Sequence, residues 1–258
     1  DCGLAGTVLR FLVPLASLAH GPVTLTGDER LGHRPLEPLV DAVRSLGLTV
    51  TPGAGTRAGH STRSVDTGAG VLPLLVAGAL HPSDPDDATV EVDASASSQF
   101  VSALLLAGCT VHSGLTVRAT GTVPSRPHID MTCTMLARRG VRVEQPEPCR
   151  WVVHPGPVQG RDETIEPDLT NAAVFLAAAM VTGGSVEIPG WPRATDQPGA
   201  VFLDLATRMG AIVNRCGDVV RVTGGELELP SDGRLAVRAA GTAPLDADAG
   251  ATVIAAHV

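Results

Sequence analysis

The stretch SSQFVSALLLAGCTVHSGLTVRATGTVPSRPHIDMTCTMLARRGVRVE, residues 97–144, decides the fold, because its plan is used three times. It opens on small polar residues and enters a long apolar run. A glycine and a short β-branched segment follow, then Pro127, a second helix-like segment, Gly140 and another β-branched segment. Residues 5–50, AGTVLRFLVPLASLAHGPVTLTGDERLGHRPLEPLVDAVRSLGLTV, keep that order. So do residues 170–213, TNAAVFLAAAMVTGGSVEIPGWPRATDQPGAVFLDLATRMGAIV. Pro35 and Gly47, then Pro198 and Gly210, take the places of Pro127 and Gly140; the proline-to-glycine spacing is 12, 13 and 12 residues in chain order. A supersecondary unit repeated in this way sets the architecture before any single motif does.

The runs around residues 8–18, 100–106 and 172–181 are apolar nearly all round, which predicts helices covered on every side. Residues 23–25, 115–117 and 185–188 predict strands from their valine, threonine and isoleucine content. The segments after the three prolines are amphipathic: Leu39, Val43 and Leu46 recur at helical spacing, with Asp41 and Arg44 off that face. Proline fits the first helical turn, where its missing N–H has no partner to lose. The three glycines stand where a left-handed C-terminal cap is wanted. The unit therefore reads as βαβαββ, with one buried and one half-exposed helix. Residues 51–70 and HPSDPDD (81–87) read as loops, residues 151–154 as a strand, and residues 159–167 as a boundary between halves. A fourth unit is expected to begin near Asp248.

At 258 residues, 44% hydrophobic and 18% charged, the chain has the composition of a packed protein in one or two domains. A net charge of -8 leaves no broad basic surface for nucleic acid, although a local arginine cluster can still hold a small anion. All 19 basic residues are arginine, so a lysine Schiff base and a phosphate-loop lysine are excluded. The five cysteines form no CxxC pair and signal neither a disulfide framework nor a zinc site, and no metal is expected. No apolar run reaches eighteen residues, so no membrane span is expected. Asp1 is not a methionine and ATVIAAHV reads as the middle of a helix, so the chain is expected to be a piece of a longer protein.

Two helix starts concentrate polar groups. Gly6 and Thr7 lead into one apolar helix with Arg10 a turn in, and Ser97, Ser98 and Gln99 lead into the next. Free N–H groups and the positive end of the helix dipole make such starts receptive to phosphate or carboxylate, and hydroxyls or an arginine strengthen them. Taken singly, Thr7 and either Ser97 or Ser98 read as ordinary N-caps. Arg34 and Arg126 stand in equivalent places, each just before its unit's proline. Either can clamp an anion bidentately. Singly, Arg34 reads as a solvated loop residue or a partner of Asp28 or Glu29. Asp248 opens the expected fourth helix, in the slot of Thr7, Ser98 and Thr170, and is either a general base or an N-cap. Asp168 has the same two readings.

The segments AGTVLR, GDERLGHRP, DASASSQFVSALLLAG, PSRPHIDMT and EPDLTNAAVFLAAA, in this order, resemble the 5-enolpyruvylshikimate-3-phosphate synthases (3-phosphoshikimate 1-carboxyvinyltransferases), from residue 3 to about residue 222. DCGLAGTVLRF is most similar to the actinobacterial branch. The resemblance implies an α/β fold of repeated βαβαββ units, with buried helices inside and sheets outside, the inverted barrel of the enolpyruvyl transferases. It implies two lobes, here incomplete at both ends. Residues 1–163 would form most of the first lobe, with two repeat units; residues 164–258 would start the second, with one unit and the start of another. It also implies a cytoplasmic, monomeric enzyme of aromatic amino-acid biosynthesis that uses no metal or organic cofactor. That enzyme moves the enolpyruvyl group of phosphoenolpyruvate onto the 5-hydroxyl of shikimate 3-phosphate and releases phosphate.

Carried over by motif, Gly6, Thr7 and Arg10 would face phosphoenolpyruvate, and Arg34 would grip its phosphate or carboxylate. Ser97 and Ser98 would hold the shikimate phosphate, Gln99 would sit between the substrates, and Ser125 would touch shikimate phosphate beside Arg126. Asp248 would be the catalytic aspartate, with Asp246 as the alternative register. The chain departs from the family at Leu4, where asparagine is frequent, and at His128, where a phenol is frequent. The family's lysine–serine and arginine segment would precede Asp1, and its C-terminal lysine and arginines would follow Val258. The segment alone is therefore expected to be inactive. Two alternatives are weighed beside this reading. A UDP-N-acetylglucosamine enolpyruvyl transferase would need a catalytic cysteine loop that has no counterpart here. A non-catalytic anion-binding fragment would fit Leu4 and the long loop.

Overall fold

The computed structural model describes residues 1–53, 71–82, 88–228 and 236–238. Most of the loop expected at 51–70, part of that at 81–87, and the fourth unit expected near Asp248 lie outside the described residues. The chain divides into two compact units, Asp1–Arg161 and Asp162–Val258. No helix of the described residues is long and apolar enough to cross a membrane.

The first unit contains two copies of the repeat. The first copy runs α1 (Gly6–Leu15), β1 (Val23–Leu25), α2 (Glu37–Ser45), β2 (Thr49–Pro52) and β3 (Leu74–Ala77). The second runs β4 (Thr89–Asp93), α3 (Gln99–Gly108), β5 (Leu115–Thr120), α4 (Arg126–Arg138), β6 (Val143–Glu147) and β7 (Arg150–Val153). The second unit carries the third copy: α5 (Leu169–Thr182), β8 (Ser185–Ile188), α6 (Phe202–Arg208), β9 (Ile212–Cys216) and β10 (Val219–Thr223). A short ladder of β11 (Glu226–Glu228) and β12 (Ala236–Arg238) follows.

The three sheets share one order. They run β1-β3-β2, β4-β5-β7-β6 and β8-β10-β9, so the last strand of each copy lies between two that precede it. β4 and β5 are parallel, and β7 is antiparallel to both β5 and β6. It follows that β4, β5 and β6 point the same way. α3 and α4, as the crossovers between them, both run against the strands and hence parallel to each other. Their N-termini must lie at the same end, which is what positions the site.

The three half-exposed helices end alike. Gly47, Gly140 and Gly210 have φ of 94°, 81° and 92°. In each case the glycine N–H bonds the carbonyl three residues back: Arg44, Ala137 and Thr207. The next residue's N–H bonds the carbonyl five back, Leu48 to Val43, Val141 to Leu136 and Ala211 to Ala206, and both members of each of these pairs are buried. This is the Schellman cap expected from the glycines, with its apolar contact.

The apolar helices differ from one another. In α3 eight residues are buried, because it packs against α1, α4 and β5. Phe100, Leu104 and Leu105 are wholly enclosed, each worth about 1.5–3 kcal/mol in burial. The expectation of cover on every side fails for α1 and α5. Val8 and Leu12 are exposed on α1, and Val174 and Val181 on α5. α5 lays Leu169, Ala172, Leu176 and Ala179 into a core with Val186, Ile188, Val220 and Val222, and among the described residues Val174 and Val181 on its other face stay exposed. Hydrophobicity all round the helix told only that cover was wanted, not that one sheet could supply it.

Gly140→Ala is expected to cost about 1–2 kcal/mol, because the left-handed backbone is unfavourable to a Cβ. The added Cβ would also lie 3.0 Å from Gln159 Nε2. Leu104→Ala should cost about 2–5 kcal/mol through the cavity it leaves. Urea unfolding measures both, and an unchanged midpoint for Gly140→Ala would refute the capping assignment.

Candidate functional site

Hydrogen bonds from Arg10 to Ser97 and Gln99, and from Gln99 to Thr7, bring the starts of α1 and α3 together, while α3 and α4 start at the same end of their sheet. α1 begins at Gly6 after Ala5, which offers no side-chain cap. Thr7 is exposed and does not cap; its Oγ1 accepts a hydrogen bond from Gln99 Nε2 at 2.9 Å. Ser98, at the N-cap of α3, makes no side-chain capping bond either. Only Ser97 acts locally as expected, accepting from the Gln99 N–H at 3.2 Å. Thr7 therefore does not cap, Ser97 rather than Ser98 supplies the local acceptor at α3, and among the described residues no side chain accepts from the N–H groups of Gly6, Thr7 or Ser98.

Arg10 is the centre of the cluster. It is 8% exposed. One guanidinium nitrogen donates to Gln99 Oε1 at 2.8 Å and to Ser97 Oγ at 3.4 Å, and the other to the Pro35 carbonyl at 3.0 Å. Its plane stands over Phe100, 5.2 Å from the ring centroid. All these acceptors are neutral. Burial, and then the charge of Arg34, hold the Arg10 pKa below its ordinary value. A cation buried among neutral acceptors and facing a second cation favours the arrival of an anion.

Arg34 supplies that second charge. It ends the 3-10 turn Glu29–His33 and lies across the start of α1: a Cβ on Gly6 would come within 3.1 Å of both Arg34 Cδ and Nη1. The pairing expected with Asp28 is absent, because Asp28 accepts from the Arg30 N–H at 2.9 Å and faces the Arg30 guanidinium at 3.7 Å. Among the described residues no carboxylate pairs with Arg10 or Arg34. By contrast, the depression of about 280 Å³ lined by Thr89, Arg118, Glu147 and Arg150 has an acid for each of its arginines. There Glu91 lies 3.5 Å from Arg118 and Glu147 lies 3.4 Å from Arg150.

Arg126 does not behave as Arg34 does, despite its equivalent position. It donates to the Pro148 carbonyl at 2.6 Å, stacks 5.8 Å from the Trp151 ring centroid and lies 3.9 Å from Asp130. It ties α4 to its sheet. Ser125, the N-cap of α4, has its hydroxyl 2.8 Å from His128 Nδ1. A buried hydroxyl pair, Thr132 Oγ1 to Ser102 Oγ at 3.0 Å, joins α4 to α3 further along the two helices. Asp168 caps α5, accepting from the N–H groups of Thr170 and Asn171. Asp248 and Asp246 lie outside the described residues.

Sequence reasoning missed the Ser102–Thr132 pair, the His128 contact and the Pro35 carbonyl. Each depends on a neighbour brought up by packing, and only His128, beside the serine, left a trace. The described residues hold no group of three or more His, Cys, Asp or Glu able to share a metal ion. Burial pushes the Cys133 thiol up to about 11 and raises that of Cys109, so both stay protonated and unreactive at neutral pH.

The chain is an α/β protein whose repeat is complete as βαβαββ in residues 89–153 and reads αβαββ in the other two copies, with Arg10 and Arg34 brought together at the start of α1. Comparison narrows the class. A family model described as EPSP synthase (3-phosphoshikimate 1-carboxyvinyltransferase) matches residues 1–240. The 3-phosphoshikimate 1-carboxyvinyltransferase of Mycobacterium ulcerans (strain Agy99) is 47% identical over 225 residues, covering 87% of this chain and 48% of that protein. Among solved structures, EPSP synthase from Acinetobacter baumannii superposes with a TM-score of 0.59 at 22% identity, over 90% of this chain and 50% of its own. The enolpyruvyl transferase NikO from Streptomyces tendae gives 0.52 at 19% identity, over 83% and 46%. The chain belongs to the EPSP synthase family, and it spans about half the length of the relatives it matches.

Inorganic phosphate is expected to raise the Tm of this chain, and Arg34→Ala to abolish that rise while leaving the phosphate-free Tm nearly unchanged, because Arg34 is exposed. Gly6→Ala should weaken the phosphate effect by displacing Arg34. Scanning calorimetry with and without phosphate tests all three; an equal rise in Arg34→Ala would remove that residue from the site.

Proposed function

We propose that the chain serves the transfer of the enolpyruvyl group of phosphoenolpyruvate to the 5-hydroxyl of shikimate 3-phosphate. The observation that carries the reading is the pair Arg10 and Arg34 at the start of α1, two guanidiniums with which no carboxylate among the described residues pairs. The family match and the Mycobacterium relative favour shikimate 3-phosphate over UDP-N-acetylglucosamine as acceptor.

In this reading Ser97, Ser98 and Ser125 hold the shikimate phosphate at the α3 and α4 starts. Gly6, Thr7, Arg10 and Arg34 face phosphoenolpyruvate, and Gln99, which already bridges Thr7 and Arg10, sits between the substrates. The 5-hydroxyl gives up its proton as its oxygen bonds to C2 of phosphoenolpyruvate, and C3 takes a proton. C3 then loses a proton as the C2–O bond to phosphate breaks. The developing charge lies on phosphate oxygens, where the arginine pair stabilises it. Asp248, or Asp246 in the other register, is assigned the proton transfers. The two compact units would be parts of two lobes, divided near residue 163, in a monomeric cytoplasmic enzyme with no added cofactor.

For a chain of half the relatives' length the expectation is binding without turnover. Isothermal titration of residues 1–258 with shikimate 3-phosphate should show one site. Ser98→Ala should weaken it roughly tenfold, the loss of one hydrogen bond to a charged group. No heat of binding for the wild type, or equal binding of UDP-N-acetylglucosamine, would overturn the assignment. Phosphate release from both substrates by the isolated chain should be undetectable.

A further inference from the structure

We propose that His128 is a positioning residue that holds the Ser125 hydroxyl as a hydrogen-bond donor toward the phosphate of the acceptor substrate; this rests on the shikimate 3-phosphate reading above. A serine at an N-cap ordinarily gives its oxygen to the N–H of the second or third helical residue. In α4 neither is available. The second residue is Pro127, which has no N–H. The third, His128, gives its N–H to the Ser125 carbonyl at 3.2 Å. The Ser125 hydroxyl is thereby released from the helix, and it faces His128 Nδ1 at 2.8 Å.

That contact has two proton arrangements. With Nδ1 bare, the hydroxyl proton is spent on the ring, and Oγ turns only lone pairs outward, which an anion rejects. With a proton on Nδ1, the ring donates to Oγ and the hydroxyl proton is free to meet a phosphate oxygen. A bound phosphate therefore selects the Nδ1–H form of His128, as the neutral tautomer or as imidazolium. The rest of the helix start is held for this purpose. The His128 carbonyl accepts from Thr132 Oγ1 at 2.8 Å, and the same hydroxyl joins Ser102 on α3, one turn from Ser98. Arg126 is occupied by Pro148 and Asp130 and does not compete for the serine.

The test uses the 258-residue chain with 15N-labelled histidine, the His128 signals being assigned by their loss in His128→Asn. On saturation with shikimate 3-phosphate, confirmed by calorimetry, Nδ1 of His128 should resonate in the protonated, pyrrole-like region. A bare, pyridine-like Nδ1 in the complex would overturn the proposal. His128→Phe should weaken binding about tenfold, whereas His128→Asn, whose amide can still donate to Oγ, should stay within about threefold. The double variant Ser125→Ala/His128→Phe should bind no more weakly than Ser125→Ala alone, since His128 acts only through the hydroxyl. Additive losses would show a separate role and sink the idea. Failure of the wild type to bind shikimate 3-phosphate would instead overturn the functional reading, and this proposal with it.

Discussion

The burial of one guanidinium governs the first unit. Arg10 joins three segments remote in sequence: α1, which carries it; the Pro35 carbonyl ahead of α2; and the Ser97–Gln99 start of α3. Its donors must be satisfied once water is excluded, and neutral acceptors satisfy them without cancelling the charge. The structure therefore keeps a net positive potential at the place where the uncapped helix N-termini add to it. Gln99 turns the same bond into a relay, receiving Arg10 on its carbonyl and donating to Thr7 from its amide. A lost Arg10 would leave the Gln99 and Pro35 oxygens without a donor at the α1–α3 junction.

Topology makes that junction possible. Parallel strands joined by helical crossovers force α3 and α4 to start at one end. The Schellman caps at Gly47, Gly140 and Gly210 stop the outer helices at matching points, so each copy returns its strands to one sheet order. The repeat is economical, but the copies are not equal in chemistry. At the start of α5, the Asp168 carboxylate and the side-chain amide oxygen of Gln197 take up the first N–H groups, so that helix start is internally closed. At α1 and α3 no side chain among the described residues does this for Gly6, Thr7 or Ser98.

Much of this was legible in the chain. The proline-to-glycine spacing gave the outer helices and their caps, because both residues act through local backbone geometry. AGT with Arg10 and SSQ marked two helix starts that the fold does bring together. Other residues were misread. Arg34 and Arg126 look equivalent in sequence, yet one lies across Gly6 with no acid and the other is tied to Pro148, Trp151 and Asp130. Thr7 carries the signature of an N-cap and does not cap, whereas of the two serines offered for α3 it is Ser97 that accepts from a helix N–H.

The sequence by itself determined the repeat, the sites of helix start and stop, and the residue types available for anion chemistry. Those features depend on dihedral preference and on apolar periodicity, which act over a few residues. Only the tertiary structure decided which arginine stays unpaired, which hydroxyls are released from capping, and that Gln99 bridges Thr7 and Arg10. The Arg10, Gln99 and Thr7 contacts span 87 to 92 residues and exist only after the helices pack. The pattern of residues names the candidates, and competition among neighbours for each donor and acceptor selects from them.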